Sequence, residues 1–426
     1  MTSRERVELA LAHMEPDRVP VDIGGSVVTG MQVQAVYRLR QALKLDPPGT
    51  PVKVIEPYQM LGEIKPDLAR LLGVDVVALN GPRNMFGFAN TGWRPWRTPD
   101  GTPVLVPEKF NTVPEPDGSI LMYPEGDKSV PPSAKMPAGG WYFDSLSRQE
   151  PIDDARLNVT DNLEEFQPIS PEDLRYFAEE AKRLYDETDQ AILANFGGTG
   201  FGDVALITGL GLKHPKGIRD VEEWYISLCT RQDYILELFD RQCAIAIENL
   251  AKIYDAVGNR ITAVFVSGTD FGTQRGLFCS RESYRQLFFP FHKRVNDWIH
   301  AHTKWKTFLH SCGSVVEIIP DFIEAGFDIL NPVQCSAAGM DPQVLKERFG
   351  DRIVFWGGGV DTQRTLPFGT PEEVAAQVRE RLRIFAPGGG YIFNTIHNIQ
   401  ADTPVENILA MFDSLKDYGS YPIKQC

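Results

Sequence analysis

Short apolar runs alternate with longer amphipathic stretches along most of this chain. The runs near residues 19–23, 74–79, 191–196, 261–266, 307–311, 328–333, 353–356 and 391–394 have the length and composition of buried strands. Between them, apolar residues recur at three- and four-residue spacing. That spacing predicts helices over 4–13, 32–45, 64–72, 170–188, two within 221–257, 280–302, 315–325, 342–349, 370–385 and a last one from about 403. Ser170 and Ser280 stand where N-caps belong, and Thr370-Pro371-Glu372-Glu373 and Thr403-Pro404-Val405-Glu406 both read as capping boxes. Capping accounts for Glu373 and Glu406 without a chemical role.

Residues 84–168 break this rhythm. They are rich in Pro, Gly, Trp and Tyr, and Asp100-Gly101 and Asp117-Gly118 each separate short β-like runs, the strongest local signal for a hairpin. The expected architecture is α/β, a (β/α)₈ TIM barrel formed by residues 1–426 as one domain, with an inserted β-hairpin segment at about 84–168. The strand at 19 is the one most open to lying outside the barrel. No G-x-G-x-x-G or Walker A loop is present, which removes the common nucleotide-binding alternatives.

Composition narrows the class further. Of 426 residues, 42% are hydrophobic and 23% charged, as in ordinary globular proteins. The net charge of −14 argues against nucleic acid and against an anionic membrane surface as partners. Residues 2–14 read as a charged amphipathic helix rather than a cleavable leader, and no apolar run is long enough to span a bilayer. The cysteines Cys229, Cys243, Cys279, Cys312, Cys335 and Cys426 lack disulfide-framework spacing, so a reducing, cytoplasmic setting is expected. Oligomeric state is not encoded in these patterns; a homodimer is one expectation.

The chemistry gathers at the strand ends, where a barrel of this kind places its active site. His310 and Cys312 are two residues apart at the end of a strand, so both side chains reach one face. Imidazole and thiolate suit zinc, although two ligands alone are also compatible with a buried His beside an inert Cys. Cys335, on the next strand end, and His397, past the last strand, are the further candidate ligands. Asp270 and Asp361 are the candidate catalytic carboxylates, each also able to act simply as a turn residue. Asn195, Phe271 and Gln334 are candidate substrate contacts, with Trp93, Trp96 and Trp141 as further aromatic wall. Asp22 joins the same mouth. His13, His214, His292, His300 and His302 read as surface or structural residues.

His310-Ser311-Cys312-Gly313, the stretch from Gly326 to Gln334, the stretch from Gly357 to Gln363, Glu15-Pro16-Asp17-Arg18-Val19-Pro20 and Pro404-Val405-Glu406-Asn407-Ile408 together resemble the uroporphyrinogen decarboxylase superfamily, more narrowly its cobamide-dependent methyltransferase branch. The resemblance runs over about residues 3–420 and implies a (β/α)₈ barrel with zinc on His310 and Cys312. Two departures stand out. The Arg-Gln-Ala-Gly-Arg stretch of the true decarboxylases is absent, with Val21-Asp22-Ile23-Gly24-Gly25 in its place. The third cysteine of the coenzyme M methyltransferases is expected in a Pro-Gly-Cys-Gly setting, which here reads Pro387-Gly388-Gly389-Gly390. Asp270, Cys335 and His397 are then the candidates to complete the site.

The resemblance implies transfer of a methyl group from a small methylated donor, first of all a methoxylated aromatic compound, to the Co(I) of a corrinoid carried by a partner protein. The stretch from Gly268 to Gln274 and the hairpin region are similar to enzymes of that first-step type. Transfer from methylcobamide to a thiol, and a metal-free decarboxylase, lyase or ligand-binding member, are the competing expectations. No corrinoid-binding stretch is evident in the chain itself, so the cobamide is expected on the partner.

Overall fold

The computed structural model describes residues 1–424. Seven parallel strands follow one another in chain order around a curled sheet: Val76–Leu79, Ala191–Ala194, Ala263–Ser267, Lys306–His310, Ile329–Asn331, Val354–Trp356 and Tyr391–Ile392. The eighth expected strand is reduced to a single bridge, yet it closes the ring. Residues 20–22 lie between the first and last strands, with Val21 bridged in parallel to Phe393. Asp22 N–H donates to Phe393 O, Phe393 N–H to Pro20 O, and Asp75 N–H to Val21 O.

Buried Asp75 anchors this closing segment. It accepts from Arg6 at 2.6 Å, from Arg18 at 2.7 and 2.9 Å, and from Val21 N at 2.9 Å. Inside the ring, Phe265, Phe308, Ile329, Val354, Trp356 and Ile392 form one continuous core, with Phe308 stacked on Phe265 and edge-on to Trp356. Val7, Ala10 and Leu11 of the helix Ser3–Leu11 join that core from the end opposite the strand carboxyl termini. A larger core lies between the outward strand faces and the surrounding helices.

The two hairpins form where Asp-Gly predicts them, Arg94–Arg97 with Pro103–Val106 and Thr112–Pro114 with Ile120–Met122. Each belongs to a separate four-stranded sheet. One partner was not anticipated: Val52–Glu56 pairs in parallel with Pro103–Val106. Pro51 and Pro57 flank it and mask a short run whose burial alternates regularly.

Several elements differ from expectation for local reasons. The stretch 280–302 is two helices, Arg281–Leu287 and Phe289–His302, because Pro290 has no N–H to continue the ladder. The helix expected from 315 begins only at Ile319. The residues before it are tied elsewhere, Ser314 N to Thr273 O and Ser314 Oγ to Ala338 O. The capping box at Thr370 forms with Glu373, but the final helix Val405–Tyr418 has Pro404 at its N-cap and no side-chain cap. The second capping box is therefore corrected. Among the described residues, no helix is long and apolar enough to cross a membrane. Cys426 lies outside the described residues.

Candidate functional site

Side-chain alternation decides what the barrel mouth contains. Phe308 and Ile329 point into the barrel, so His310 and Asn331, two residues on, point inward one layer higher. Their strands hold these two residues in register. His310 Nδ1 lies 2.5 Å from Asn331 Oδ1, while Asn331 Nδ2 donates to Trp356 O at 2.7 Å. The amide orientation is thereby set, and the oxygen facing His310 can only accept. The His310 proton sits on Nδ1, and Nε2 presents its lone pair to the cavity.

Cys312 Sγ is 3.4 Å from that Nε2. His397 completes the group, its ring centroid 5.2 Å from that of His310. The ligand atoms of His310, Cys312 and His397 all lie within 4.8 Å of one another. Tetrahedral zinc with bonds of 2.0–2.3 Å separates its ligands by about 3.5 Å. The His310–Cys312 spacing already matches, and the widest pair would close by roughly 1 Å. The donor set therefore fits zinc. His397 needs one change, because Asn398 N–H donates to its Nδ1 at 2.8 Å and leaves the neutral ring's proton on Nε2. Ligation through Nε2 would move that proton and release the Asn398 contact.

Burial dominates the electrostatics. It lowers His310 to about 4, partly offset by the bond to Asn331, and lowers His397 to about 3, with His310 adding to the effect. Both rings are neutral near pH 7, as ligands must be. The Cys312 thiol is pushed well up by burial and by the Asp270 carboxylate beside it. Asp270 is itself raised by burial. Its Oδ1 accepts Cys312 N–H at 2.6 Å and stands 3.9 Å from His310 Nε2.

The Asp270 and Cys312 loops are clamped together by contact that only glycine allows. A Cβ on Gly313, whose φ is +85°, would stand 2.3 Å from the Gly272 carbonyl carbon. Gln334 Oε1 accepts Gly313 N–H at 2.8 Å and fixes the same turn from the next strand end.

These groups open on a cavity of about 1200 Å³. Asn195, Asp270, His310, Cys312, Gln334 and His397 all line it. Three other candidates lie elsewhere. Phe271 is buried edge-on against Tyr284 and Phe288, each at 5.0 Å. The Asp361 carboxylate accepts Gln363 N–H at 2.7 Å and closes its own turn. Cys335 is held away from the cluster, its thiol bonded to Val333 O at 3.3 Å and turned toward Gly358 and Phe385 of the outer layer. Trp93, Trp96 and Trp141 do not line the cavity either. Its aromatic wall comes from Tyr58, Tyr142, Phe143, Tyr176, Phe196 and Phe265. Asp22 is fully buried beneath the mouth, bonded to Trp356 Nε1 and Gly25 N.

The turn Pro387-Gly388-Gly389-Gly390 precedes the last strand and so lies at the opposite end of the barrel. Side chains on Gly389 and Gly390 would meet Met14 and His13. No third ligand can come from there; the donor facing His310 is His397, after the last strand. The wall residues that escaped the sequence reading include two buried carboxylates, Glu56 and Asp203. Burial raises them to about 7 and about 6, Asp270 adding to the shift at Asp203. Glu56 ends the alternating run Val52–Glu56, and Asp203 caps the short helix Val204–Ile207 after a glycine-rich turn, which are the signals that could have found them.

Comparison with known proteins bears on the whole chain. It is 24% identical over 312 residues to a uroporphyrinogen decarboxylase of Trichodesmium erythraeum, which covers 72% of this chain and 79% of that one. A uroporphyrinogen decarboxylase of Magnetococcus marinus is 29% identical over 112 residues, 26% of this chain and 29% of that one. A solved methyltransferase from Methanosarcina mazei superposes with a TM-score of 0.55 at 16% identity, covering 98% of this chain and 99% of its own, a likeness of fold. The family described as Uroporphyrinogen decarboxylase (URO-D) matches residues 143–418, nearly two thirds of the sequence, and the chain belongs to that family.

Proposed function

We propose that this protein is a methyltransferase. It takes a methyl group from a small methylated donor, in the first instance a methoxylated aromatic compound, and passes it to the Co(I) corrinoid of a partner protein. The observation that carries this reading is the trio His310, Cys312 and His397, whose donor atoms converge within 4.8 Å on the wall of a cavity large enough for such a donor. The methyltransferase from Methanosarcina mazei, alike in fold over nearly its full length, supports it.

His310, Cys312 and His397 would hold a zinc ion, which when bound supplies Lewis acidity toward an ether oxygen. Asn331 keeps the His310 lone pair aimed into the cavity. Burial raises Asp270, which favours its protonated form, and a carboxyl placed there is positioned to act as general acid toward the departing oxygen. Breaking the methyl–oxygen bond leaves the electron pair on that oxygen, and the methyl group goes to the nucleophilic acceptor. The barrel wall orients the donor and keeps water out.

The test is methyl transfer from methoxylated aromatics to cob(I)alamin, with native and metal-stripped protein. Metal-dependent transfer is expected. Unchanged transfer after verified metal removal would sink the zinc role. The names of the relatives keep a second reading in view, a metal-free decarboxylase; release of CO₂ from a carboxylated substrate by metal-free protein, without methyl transfer, would establish it.

A further inference from the structure

We infer that the cavity selects an uncharged aryl methyl ether over a methoxylated aromatic acid, and that Glu56 and Asp203 are the side chains that turn acids away. This rests on the methyl-donor reading above and specifies its substrate.

Away from the trio that would hold a zinc ion, the wall offers the carboxylate of a donor whose ether oxygen is seated at that trio no free counterion among the described residues. Its one Arg or Lys is Arg83, and that guanidinium is already held by Asp173 at 2.5 Å. Glu56, only 6% exposed, is held by backbone amides alone, Tyr58 N at 3.0 Å and Gln59 N at 2.6 Å. Asp203 Oδ1 accepts Ala205 N–H at 3.0 Å. Its Oδ2 faces the barrel mouth, 2.7 Å from where a Cβ on Gly268 would stand. Among the described residues, no basic side chain pairs with either carboxylate. The raised titration of both groups has the same origin, burial without a cation. A substrate carboxylate entering this space would lose its hydration and meet like charge. An ether of the same shape carries no such penalty and keeps the aromatic wall of Tyr58, Tyr176 and Phe196.

The experiment is calorimetric binding of meta-methoxybenzyl alcohol and meta-methoxybenzoate to the protein as purified and again after metal removal, the second set deciding because no carboxylate–metal bond can form in it, at a pH above the titration of both carboxylates. Wild type is compared with Asp203→Asn and Glu56→Gln. The alcohol is expected to bind about tenfold or more tighter than the benzoate, and each variant should narrow that gap severalfold, chiefly by admitting the benzoate. Equal or tighter binding of the benzoate by wild type, or a gap unchanged in both variants, overturns the assignment. If one variant fails to fold, the other carries the comparison. Binding of neither probe overturns the assignment together with the aryl-ether reading. Selective binding without methyl transfer to cob(I)alamin defeats the transfer reading alone.

Discussion

Asn331 Oδ1 lies 2.5 Å from His310 Nδ1 and is held there by the bond from its own amide nitrogen to Trp356 O. The tautomer of a candidate metal ligand is thus set from the neighbouring strand. Asn331→Leu removes the acceptor and should lower zinc affinity by about 10–100-fold. Asn331→Asp keeps an acceptor and should lose much less. Competition with a chromophoric chelator reads both; equal losses would reduce Asn331 to a packing role.

About one zinc per chain is expected in purified protein, absent from His310→Ala and Cys312→Ala and depleted in His397→Ala. Cys335→Ala should keep it, because that thiol faces the outer layer. Elemental analysis of the four variants decides the ligand set. Zinc lost from Cys335→Ala but retained in His397→Ala would reverse the assignment made from geometry.

Asp203 gives a pH signature with a definite sign. Its carboxyl is raised from 3.8 to about 6 in the folded protein. The protonated form is favoured on folding, so its contribution is intact below the unfolded pKa and is lost as pH rises through about 6. Asp203→Asn retains the cap on Ala205 N without the charge. The variant should be more stable than wild type by about 1–3 kcal/mol at neutral to alkaline pH, with the difference vanishing near pH 4. Denaturant midpoints across that range test it; a constant difference would place the effect elsewhere.

Asp75 joins the helix Ser3–Leu11, Arg18 and the closing segment to the first full barrel strand. Asp75→Ala leaves the Val21 amide without its acceptor, Arg6 still paired with Asp17 and Arg18 with only backbone carbonyls, and should destabilise the fold by about 1–3 kcal/mol. Equilibrium unfolding measures this. A loss below about 1 kcal/mol would show that Val21 is held by the Phe393 bridge without help from the carboxylate.

Exposed Thr370 caps the helix Pro371–Phe385 reciprocally with Glu373. Thr370→Ala should cost about 1 kcal/mol. Chemical denaturation again reads the change, and no loss would mean that water replaces the cap at that helix end.

The order of strands and helices was written in the chain, because periodicity and capping are local properties. Phe308 and His310 had to share a face once 307–311 was a strand, and Asp100-Gly101 and Asp117-Gly118 had to turn. What periodicity does not carry is which strand ends meet across a closed ring. Cys335 and His397 looked comparable in sequence, and only the closed barrel turns one thiol outward and brings the other residue's ring to His310. The chain likewise hides that residues 387–390 lie at the far end and that Val52–Glu56 sends a carboxylate into the cavity. Asp361 and Phe271 show the converse, chemically plausible residues whose hydrogen bonds and packing are spent locally. Sequence determined the elements and the face each residue takes. Long-range packing alone decided which polar groups share one buried space, since that depends on contacts between segments hundreds of residues apart.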